Sequence, residues 1–375
     1  MSSGDIPGAL AVDNVRTLAP YVPGKPIEEL ERELGITNII KLASNENPFG
    51  ASPNALAAMH ATLSETWLYP DGSGHTLKHR LAAKLGVKVE QLTLGNGSND
   101  LLVLLAQTFL KAGIEAIYSQ YGFAIYAIVT QAVGARGVVT PALSLTSPMP
   151  LGHDLAAMLR AINANTRVVF IANPNNPTGT WAPAAEVRAF LKAAPSHVIV
   201  VLDEAYFEYI GGLDVQNGVS WLDDFPNLVV LRTFSKAYGL AGVRVGYAVS
   251  HPSVAAMLNR VRQAFNVSSV ALAGATAALE DEAHVSKAVA VAVAERVRVA
   301  AALEKLGTRC IPSAGNFLLI HAGPDAARHF EALLRAGIIV RPVANYQLPE
   351  YLRVTLGTVD QDDRFLSAWQ RVLVA

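Results

Sequence analysis

A lysine with hydroxyl, glycine and arginine residues at short spacing is the strongest chemical feature of the sequence. Lys236 lies in the run T-F-S-K-A-Y-G-L-A-G-V-R, directly after an apolar segment that predicts a buried strand. Open α/β sheets bind ligands at this end of their strands, and a neutral lysine amine can condense with an aldehyde. Thr233, Ser235 and Arg244 offer two hydroxyls and a guanidinium, which are the donors that a phosphate dianion needs. Taken alone, the segment fits a solvated lysine in a turn equally well.

An acid and a tyrosine follow another apolar run. The segment V-I-V-V-L-D-E-A-Y predicts a buried strand that ends at Asp203, with Tyr206 three residues later. The carboxylate could be only the N-cap of a following helix, which is the commoner role. In a functional interpretation, Asp203 forms an ion pair with a protonated ring nitrogen, because an opposite charge favours the charged form. The Tyr206 hydroxyl then donates to an oxygen of the same ring.

Two loops rich in asparagine and glycine also follow apolar runs. The loop N-P-N-N-P-T-G has the composition of a tight turn, and its Asn176 amide can donate to the same ring oxygen. The loop L-G-N-G-S-N-D leads into a predicted helix, whose first N–H groups and dipole form a natural phosphate site, although Ser98 or Asn99 could merely cap that helix. It lacks the full G-x-G-x-x-G of dinucleotide folds, and no G-K-[S/T] follows. Nicotinamide and nucleoside triphosphate ligands are therefore disfavoured.

These four segments occur in the order found in one enzyme superfamily. G-N-G-S-N-D, N-P-N-N-P-T-G, D-E-A-Y and T-F-S-K-A-Y-G-L-A-G-V-R-V-G-Y together resemble the fold-type I aminotransferases, which depend on pyridoxal 5'-phosphate (PLP). Within that superfamily, P-Y-V-P-G-K-P, K-L-A-S-N-E-N-P-F-G, L-Y-P-D-G and L-R-V-T-L-G are similar to the pattern of histidinol-phosphate aminotransferases. The similarity extends over almost the whole chain and implies an α/β enzyme with PLP as its cofactor.

The resemblance implies a catalytic role for four residues. Lys236 would form the Schiff base with PLP and, as a general acid and base, move a proton between the substrate α-carbon and the cofactor. Asp203 would pair with the pyridine nitrogen and keep it protonated, so that the ring withdraws electrons. Tyr206 and Asn176 would donate to the phenolic oxygen of the ring.

Further residues are implied to bind the cofactor or to line the substrate entrance. Tyr121, in S-Q-Y-G-F, matches the aromatic residue that stacks on the pyridine ring. Tyr69, before P-D-G, matches a tyrosine that reaches the cofactor phosphate of the neighbouring subunit, which implies a homodimer. Tyr21 and Asn45 lie in segments that line the substrate entrance. The cofactor phosphate would be held by residues of two segments: Gly97, Ser98, Asn99, Thr233, Ser235 and Arg244.

Two arginines near the C-terminus bear on the substrate. Arg353, in Y-L-R-V-T-L-G, matches an arginine that in this family meets both the carboxylate of glutamate and the phosphate of histidinol phosphate. Arg341, in I-I-V-R-P-V, resembles a second phosphate-contacting arginine, and two cations suit a dianion. Alternatively, Arg341 is a solvent-facing residue at a strand end. The segment P-V-A-N-Y-Q-L-P-E between them is short, which leaves the shape of the substrate pocket open.

The reaction implied by the resemblance converts L-histidinol phosphate and 2-oxoglutarate into imidazole-acetol phosphate and L-glutamate, in histidine biosynthesis. Related enzymes accept phenylalanine or tyrosine, so an aromatic amino acid aminotransferase is one alternative. Threonine-phosphate decarboxylase, which shares the fold and many of the motifs, is another. A regulatory binding module is disfavoured because no helix-turn-helix segment precedes the core.

The elements that must position these residues predict an α/β fold. Over about residues 91–249, β-branched runs alternate with amphipathic or alanine-rich stretches, which predicts a mainly parallel sheet flanked by helices. Runs that are apolar throughout predict strands covered on both faces, at 168–172, 198–202, 228–231 and 245–249. The Ala/Val run 283–306 predicts one long helix that bridges two domains. After it, strands at 317–321, 338–343 and 351–356 and helices at 326–336 and 362–373 predict a small α+β domain.

We therefore predict three parts in the chain. Residues 1–40 form an N-terminal arm that contributes to the small domain, residues 41–280 form the large PLP-binding domain, and residues 281–375 form the small C-terminal domain. The formal net charge of −1 provides no broad positive field, so a small molecule is expected as the ligand rather than nucleic acid or a bilayer. No membrane span and no metal site are predicted. The lack of a secretory-signal pattern and the single cysteine, Cys310, predict the reducing cytoplasm.

Overall fold

The computed structural model describes residues 6–374, so residues 1–5 of the predicted arm and Ala375 of the predicted small domain lie outside the described part. The strands have these bounds: β1 (Ile40–Lys41), β2 (Leu92–Gly95), β3 (Glu115–Ser119), β4 (Arg136–Thr140), β5 (Thr166–Ala172), β6 (Ile199–Asp203), β7 (Leu228–Thr233), β8 (Gly246–Ser250), β9 (Cys310–Ile311), β10 (Phe317–His321), β11 (Ile338–Ile339), β12 (Arg341–Pro342) and β13 (Tyr351–Thr355). The α-helices have these bounds: α1 (Ile6–Ala9), α2 (Asp13–Arg16), α3 (Ile27–Leu34), α4 (Pro53–Thr62), α5 (His75–Leu85), α6 (Ser98–Phe109), α7 (Ala124–Ala132), α8 (Leu155–Ala161), α9 (Ala184–Ala193), α10 (Pro252–Val261), α11 (Ser269–Glu280), α12 (Glu282–Lys305), α13 (Ala326–Arg335) and α14 (Val359–Val374). No helix within residues 6–374 is both long enough and apolar enough to cross a membrane.

A seven-stranded sheet forms the centre of the larger part of the chain, in the order β2-β8-β7-β6-β5-β3-β4. Strands β7, β6, β5, β3 and β4 are parallel to one another. Strand β8 is antiparallel to both of its neighbours, β7 and β2. On β5, Val169 and Ile171 pack into the core on one face, and Val168 and Phe170 into the core on the other. Burial on both faces explains why the run is apolar throughout, and the prediction of a mainly parallel sheet is confirmed.

A smaller α+β part follows the central sheet. Its four-stranded antiparallel sheet has the order β12-β13-β10-β9, and β1 pairs with β11 in a separate parallel ladder. The single strand predicted at 338–343 is therefore wrong: β11 and β12 belong to different sheets. Ile40 and Leu42 donate backbone hydrogen bonds to the carbonyls of Gly337 and Ile339, at 2.9 and 2.7 Å. The first half of the segment thus pairs with the N-terminal strand β1, whereas Arg341 pairs with β13.

The two parts are joined by the long helix α12, which lies close to its predicted bounds. Ala292, near its middle, packs into a core of the central sheet, whereas Val299 and Leu303, about two and three turns later, pack into the core of the small part. Leu42 also packs into the small core, and its carbonyl accepts a hydrogen bond from Thr355 N at 2.9 Å. The predicted domain limits remain a prediction, and these contacts favour a boundary after Leu42 instead of before Lys41.

Two buried carboxyl groups meet between α12 and α14. Asp362 accepts a hydrogen bond from Gly357 N at 2.9 Å through one oxygen, and its other oxygen is buried without a hydrogen-bond partner. Glu295 is also buried and is paired with Arg298, which in turn binds Asp363 on the exposed side of α14. Burial, and then the neighbouring Glu295, raise the pKa of Asp362 to about 7.

Asp362→Asn is expected to remove a pH-dependent loss of stability. The pKa of Asp362 is raised from 3.8 to about 7 in the folded protein, so this group contributes its full stability below about pH 4 and loses it as the pH rises to about 7. The unfolding temperature of the variant relative to that of the wild type should therefore be higher at about pH 8 than at about pH 5. Asp363→Asn, at an exposed neighbouring position, is the matched control. A gap between Asp362→Asn and wild type that stays constant with pH would contradict the assignment.

Candidate active site

One pocket lies at the carboxyl ends of β5, β6 and β7, where parallel sheets place their ligands. It also receives residues of the N-terminal segment and of the small part, because these cover that edge of the sheet. Most of the residues predicted for the site line it: Tyr21, Asn45, Ser98, Asn99, Asn176, Asp203, Tyr206, Thr233, Ser235, Lys236, Arg244, Arg341 and Arg353.

Lys236 lies inside the pocket. It follows the buried residues Thr233 and Phe234, in the turn after β7. Its Nζ donates a hydrogen bond to the carbonyl oxygen of Ser44 at 2.9 Å. Burial, reinforced by the positive charge of Arg353, lowers the pKa of Lys236 from 10.5 to about 7. A large share of the amine is therefore neutral at physiological pH, and the alternative of a solvated lysine is wrong.

Asp203 is buried at the end of β6, and each of its oxygens has its own contact. The Tyr126 hydroxyl donates to Oδ2 at 2.8 Å, and the N–H of Ala205 donates to Oδ1 at 3.2 Å. Burial raises the pKa of Asp203 to about 6, and the bond from Tyr126 opposes that rise. The carboxylate caps only the short turn that follows, and it lines the pocket. With a pKa of about 6, it is mostly ionised at neutral pH and available to a cation.

Tyr206 belongs to a hydrogen-bonded group that spans both parts of the fold. Asn45 Nδ2 donates to the Tyr206 hydroxyl at 2.9 Å, and burial raises the pKa of Tyr206 to about 12, so the phenol keeps its proton. Asn45 has a left-handed backbone (φ 56°) and is fixed by Thr355, whose Oγ1 accepts from Asn45 N and donates to Asn45 Oδ1. Arg353 donates to Asn176 Oδ1, which turns the amide nitrogen of Asn176 away from that guanidinium.

An anion cradle forms where α6 begins. Its N-cap, Gly97, provides no capping side chain, so the N–H groups of Ser98 and Asn99 remain free for a ligand, and the alternative of simple helix caps is not borne out. Arg244 donates to Ser235 Oγ at 3.1 Å and lies against Gly97, where an added Cβ would be 2.2 Å from Nη2. Gly97 thus does not line the pocket itself but lets the guanidinium reach it. Backbone N–H groups, hydroxyls and a guanidinium at one position fit the phosphate of PLP.

Arg341 and Arg353 are directly opposite each other on the antiparallel pair β12 and β13. They are 7% and 6% exposed, so the alternative of a solvent-facing Arg341 is wrong. Arg341 donates to the carbonyl of Val22 in the N-terminal segment, and Arg353 to the carbonyl of Ala43. Within residues 6–374, no carboxylate forms an ion pair with either guanidinium, and Arg353 Nε is buried without a partner. Two adjacent buried cations without an acid make an anion-binding site.

Tyr121 does not line the pocket, so the structure does not support its predicted place against the cofactor ring. A tight turn, closed by a bond from Gly122 N to the Ser119 carbonyl at 2.8 Å, reverses the chain at the end of β3. The Tyr121 side chain therefore packs against the cluster that includes Leu151 and Tyr351, in a separate cleft. Phe123, two residues later, is the aromatic residue that lines the pocket.

Tyr69 also lies outside this pocket, as its predicted role requires. It is 83% exposed, and its ring stacks on Phe265 with a centroid distance of 4.7 Å. The role across a subunit boundary stays a prediction.

Sequence motifs missed four polar or aromatic residues of the pocket: Ser44, Glu46, Phe123 and Tyr126. Glu46 pairs with Lys41 at 2.8 Å and supplies negative charge near Lys236. Phe123 and Tyr126 are three residues apart at the start of α7, a spacing that brings side chains to one helix face. That spacing, combined with the strand that ends at Ser119, is the signal that could have identified both.

Comparisons with known proteins agree with this geometry. The family model for aminotransferase class I and II matches residues 37–368. Histidinol-phosphate aminotransferase 2 from Pseudomonas fluorescens is 55% identical over 367 residues, which cover 97% of this chain and 98% of that protein. A protein of the same name from Methylococcus capsulatus is 54% identical, over 97% of this chain and 98% of that protein.

Solved structures give the same result for the fold. The crystal structure of histidinol-phosphate aminotransferase from Sinorhizobium meliloti in complex with pyridoxal-5'-phosphate superposes with a TM-score of 0.88, at 31% identity over 98% of both chains. L-threonine-O-3-phosphate decarboxylase from Porphyromonas gingivalis, with a TM-score of 0.78 over 90% of this chain and 100% of that chain, is 21% identical and shares the fold. The chain belongs to the aminotransferase class I and II family.

Proposed function

We propose that this protein is a PLP-dependent histidinol-phosphate aminotransferase. It transfers the amino group of L-histidinol phosphate to 2-oxoglutarate and so produces imidazole-acetol phosphate and L-glutamate. The names of relatives that are 54–55% identical over nearly the whole chain support this activity. Among the structural features, the adjacent arginines Arg341 and Arg353 carry the proposal for the substrate.

The arginine pair accounts for both substrates. Arg341 and Arg353 present two buried positive charges side by side, which suits a phosphate dianion better than a carboxylate alone. The second substrate, 2-oxoglutarate, carries two carboxylates and can use the same cations. Because no acid of the described residues neutralises the pair, an anionic ligand is needed to offset the cost of burying these charges.

The remaining pocket residues fit PLP in the roles predicted for them. The cradle of Ser98, Asn99, Thr233, Ser235 and Arg244 binds the phosphate. Bound PLP supplies the aldehyde that takes up the amino group and an electron-withdrawing ring that stabilises negative charge at the substrate α-carbon. The carboxylate of Asp203 stabilises a positive charge on the ring nitrogen.

Proton movement is the task of Lys236. Because its pKa is about 7, its Nζ can accept the proton from the α-carbon as a neutral amine and return it as an ammonium group near neutral pH. The phenol of Tyr206, whose pKa is about 12, remains a hydrogen-bond donor throughout. Asn45 Nδ2 donates to its oxygen, so the phenolic proton is free to be donated to a ligand.

The homodimer and the cytoplasmic location are part of the same proposal. Trp67 and Tyr69 are 81% and 83% exposed, and Leu68 and Phe265 add to the same apolar surface. Patches of this kind are characteristic of protein interfaces, and a second copy of the chain would bring Tyr69 to the partner's phosphate cradle. Cys310 is the only cysteine, so the fold needs no disulfide and suits a reducing compartment.

Capture of PLP by the cofactor-free protein should follow the titration of Lys236. Only the neutral amine attacks an aldehyde, so the capture rate is expected to rise with pH to a plateau above about pH 7. The change in visible absorbance after rapid mixing measures this rate. Lys236→Ala should abolish covalent capture, and Lys192→Ala, at an exposed position outside the pocket, should preserve it. A midpoint near the ordinary pKa of lysine, about 10.4, would contradict the assignment of a buried amine.

Substrate preference tests the function directly. Of L-histidinol phosphate, phenylalanine and threonine phosphate, the first is expected to give the highest kcat/KM in assays of amino transfer and decarboxylation run side by side. A higher value for either other substrate would overturn the proposed function in favour of the corresponding enzyme.

Arg341→Gln should selectively weaken the use of the phosphorylated substrate. Loss of one charge-assisted contact is expected to lower kcat/KM for histidinol phosphate about 10- to 100-fold, with a smaller effect on the reaction with glutamate. Arg335→Gln, on the exposed side of α13, is the matched control. Equal losses for both substrates would mean that Arg341 does not discriminate the phosphate.

Tyr69→Phe should weaken PLP binding without dissociating the dimer. The variant removes only the hydroxyl, while the stack on Phe265 is retained. An increase of about 10-fold in the PLP dissociation constant is expected, together with a dimeric mass in analytical ultracentrifugation. A monomeric wild type, or unchanged PLP affinity in the variant, would contradict the role of Tyr69 across the interface.

A further inference from the structure

Tyr126 is a pocket residue that no motif in the sequence identified. It lies in the first turn of α7 and is completely buried. Its hydroxyl donates to Asp203 Oδ2 at 2.8 Å, and it is the only side chain among the described residues that donates a hydrogen bond to that carboxylate. The contact joins a helix that follows β3 to the end of β6, two strands away in the sheet.

The proton in this contact belongs to the tyrosine. Burial raises the pKa of Tyr126 well above its ordinary value, and the negative charge of Asp203 raises it further. The phenol is therefore a permanent donor, and Asp203 Oδ2 must accept. A bond donated to the charged form favours that form, which is why Tyr126 lowers the pKa of Asp203 against the effect of burial.

The position of the hydroxyl is fixed by two ring contacts and by the backbone of α7. The Tyr126 ring is nearly parallel to Phe170 on β5, with a centroid distance of 4.8 Å and an angle of 3°, and it meets the edge of Phe123 at 5.9 Å. Thr130 Oγ1 donates to the Tyr126 carbonyl at 2.7 Å one turn later in α7. The phenol can therefore fix the plane of the carboxylate as well as its charge.

The other titratable groups near Asp203 do not stabilise its charged form by a hydrogen bond. Glu204, the next residue, raises the pKa of Asp203, although Arg232 binds it with Nε and Nη2 at 2.9 and 2.7 Å. His153, which bonds the Ala172 carbonyl on β5, is neutral because burial lowers its pKa to about 4. Lys236 and Tyr206 line the same pocket from the opposite loops. None of these side chains donates a hydrogen bond to Asp203.

We propose that Tyr126 is a positioning residue that keeps Asp203 ionised and oriented toward the cofactor ring nitrogen. This inference rests on the proposed pairing of Asp203 with bound PLP. The start of α7 then contributes to the cofactor site in two ways. Phe123 lines the pocket, and Tyr126, three residues later, orients the carboxylate of Asp203.

The test is the pH dependence of PLP affinity and of kcat/KM in Tyr126→Phe, which removes only the hydroxyl. Both quantities should fall on the acid side as Asp203 takes up a proton, near pH 6 in the wild type. Protonation of Lys236 near pH 7 also lowers PLP affinity, so the step that belongs to Asp203 is the one that Asp203→Asn lacks. In the variant the midpoint is expected about 1–2 pH units higher, because a hydrogen bond to a charged group is lost. Tyr118→Phe, on β3 outside the pocket, should keep the wild-type midpoint. A Tyr126→Phe midpoint equal to that of the wild type would overturn the proposal.

The Asp203→Asn background separates positioning from general damage. There the hydroxyl of Tyr126 has no carboxylate to keep ionised, so adding Tyr126→Phe should cause little further loss of PLP affinity. An additional loss as large as in the wild-type background would mean that Tyr126 acts only through packing, and would overturn the inference. If Asp203→Asn alone binds PLP like the wild type at every pH, the proposed role of Asp203 fails first.

Discussion

The arrangement of the pocket depends on positive charge that the protein itself leaves uncompensated. Lys236, Arg244, Arg341 and Arg353 surround one cavity, and the acids that line it are Asp203 and Glu46. Burial and the neighbouring guanidinium of Arg353 shift Lys236 toward its neutral form, which relieves part of the repulsion. The arginines cannot lose their protons, so their charge must be met by ligands. The proposed ligands, a cofactor phosphate and a substrate phosphate or carboxylate, would satisfy this requirement.

The same charges tie the two parts of the fold together. Arg353, on the small sheet, donates to Asn176 in the loop after β5 and to the carbonyl of Ala43. Lys236, after β7, donates to the adjacent carbonyl of Ser44. Asn45 N donates to Thr355 Oγ1, which in turn donates to Asn45 Oδ1, and these bonds hold Asn45 in a left-handed conformation that places its amide on Tyr206. The segment 43–45 is therefore the joint at which the sheet edge, the small part and the pocket meet, so the site depends on how the two parts are packed.

The sequence predicted the central strands well and the small sheet less well. Strands β5 to β7 are buried on both faces, and the resulting apolar runs are visible without any knowledge of their partners. The segment 338–343 also begins with an apolar run, but it divides between two sheets because β1 pairs with its first half. The chain that forms β1 is about 300 residues away in sequence, and no local pattern records that pairing. The family pattern points to Tyr121 for the site, but a turn of four residues decides which aromatic side chain faces inward.

The sequence by itself determined the chemistry of the site, because a lysine, an acid, an amide and a glycine turn must each follow a strand at fixed spacing to act on one ligand. These local motifs are visible in the linear order of residues. Lys236, Asp203 and Arg244, which the motifs identify, all line the pocket. Only the tertiary structure decided the pKa values of these groups and which side chains face each other. Burial sets the pKa of Lys236 near 7 and that of Asp203 near 6, and the opposition of Arg341 to Arg353 and of Tyr126 to Asp203 arises from strand register and helix packing. Desolvation and contacts between distant segments are properties of the folded chain, so no motif can contain them.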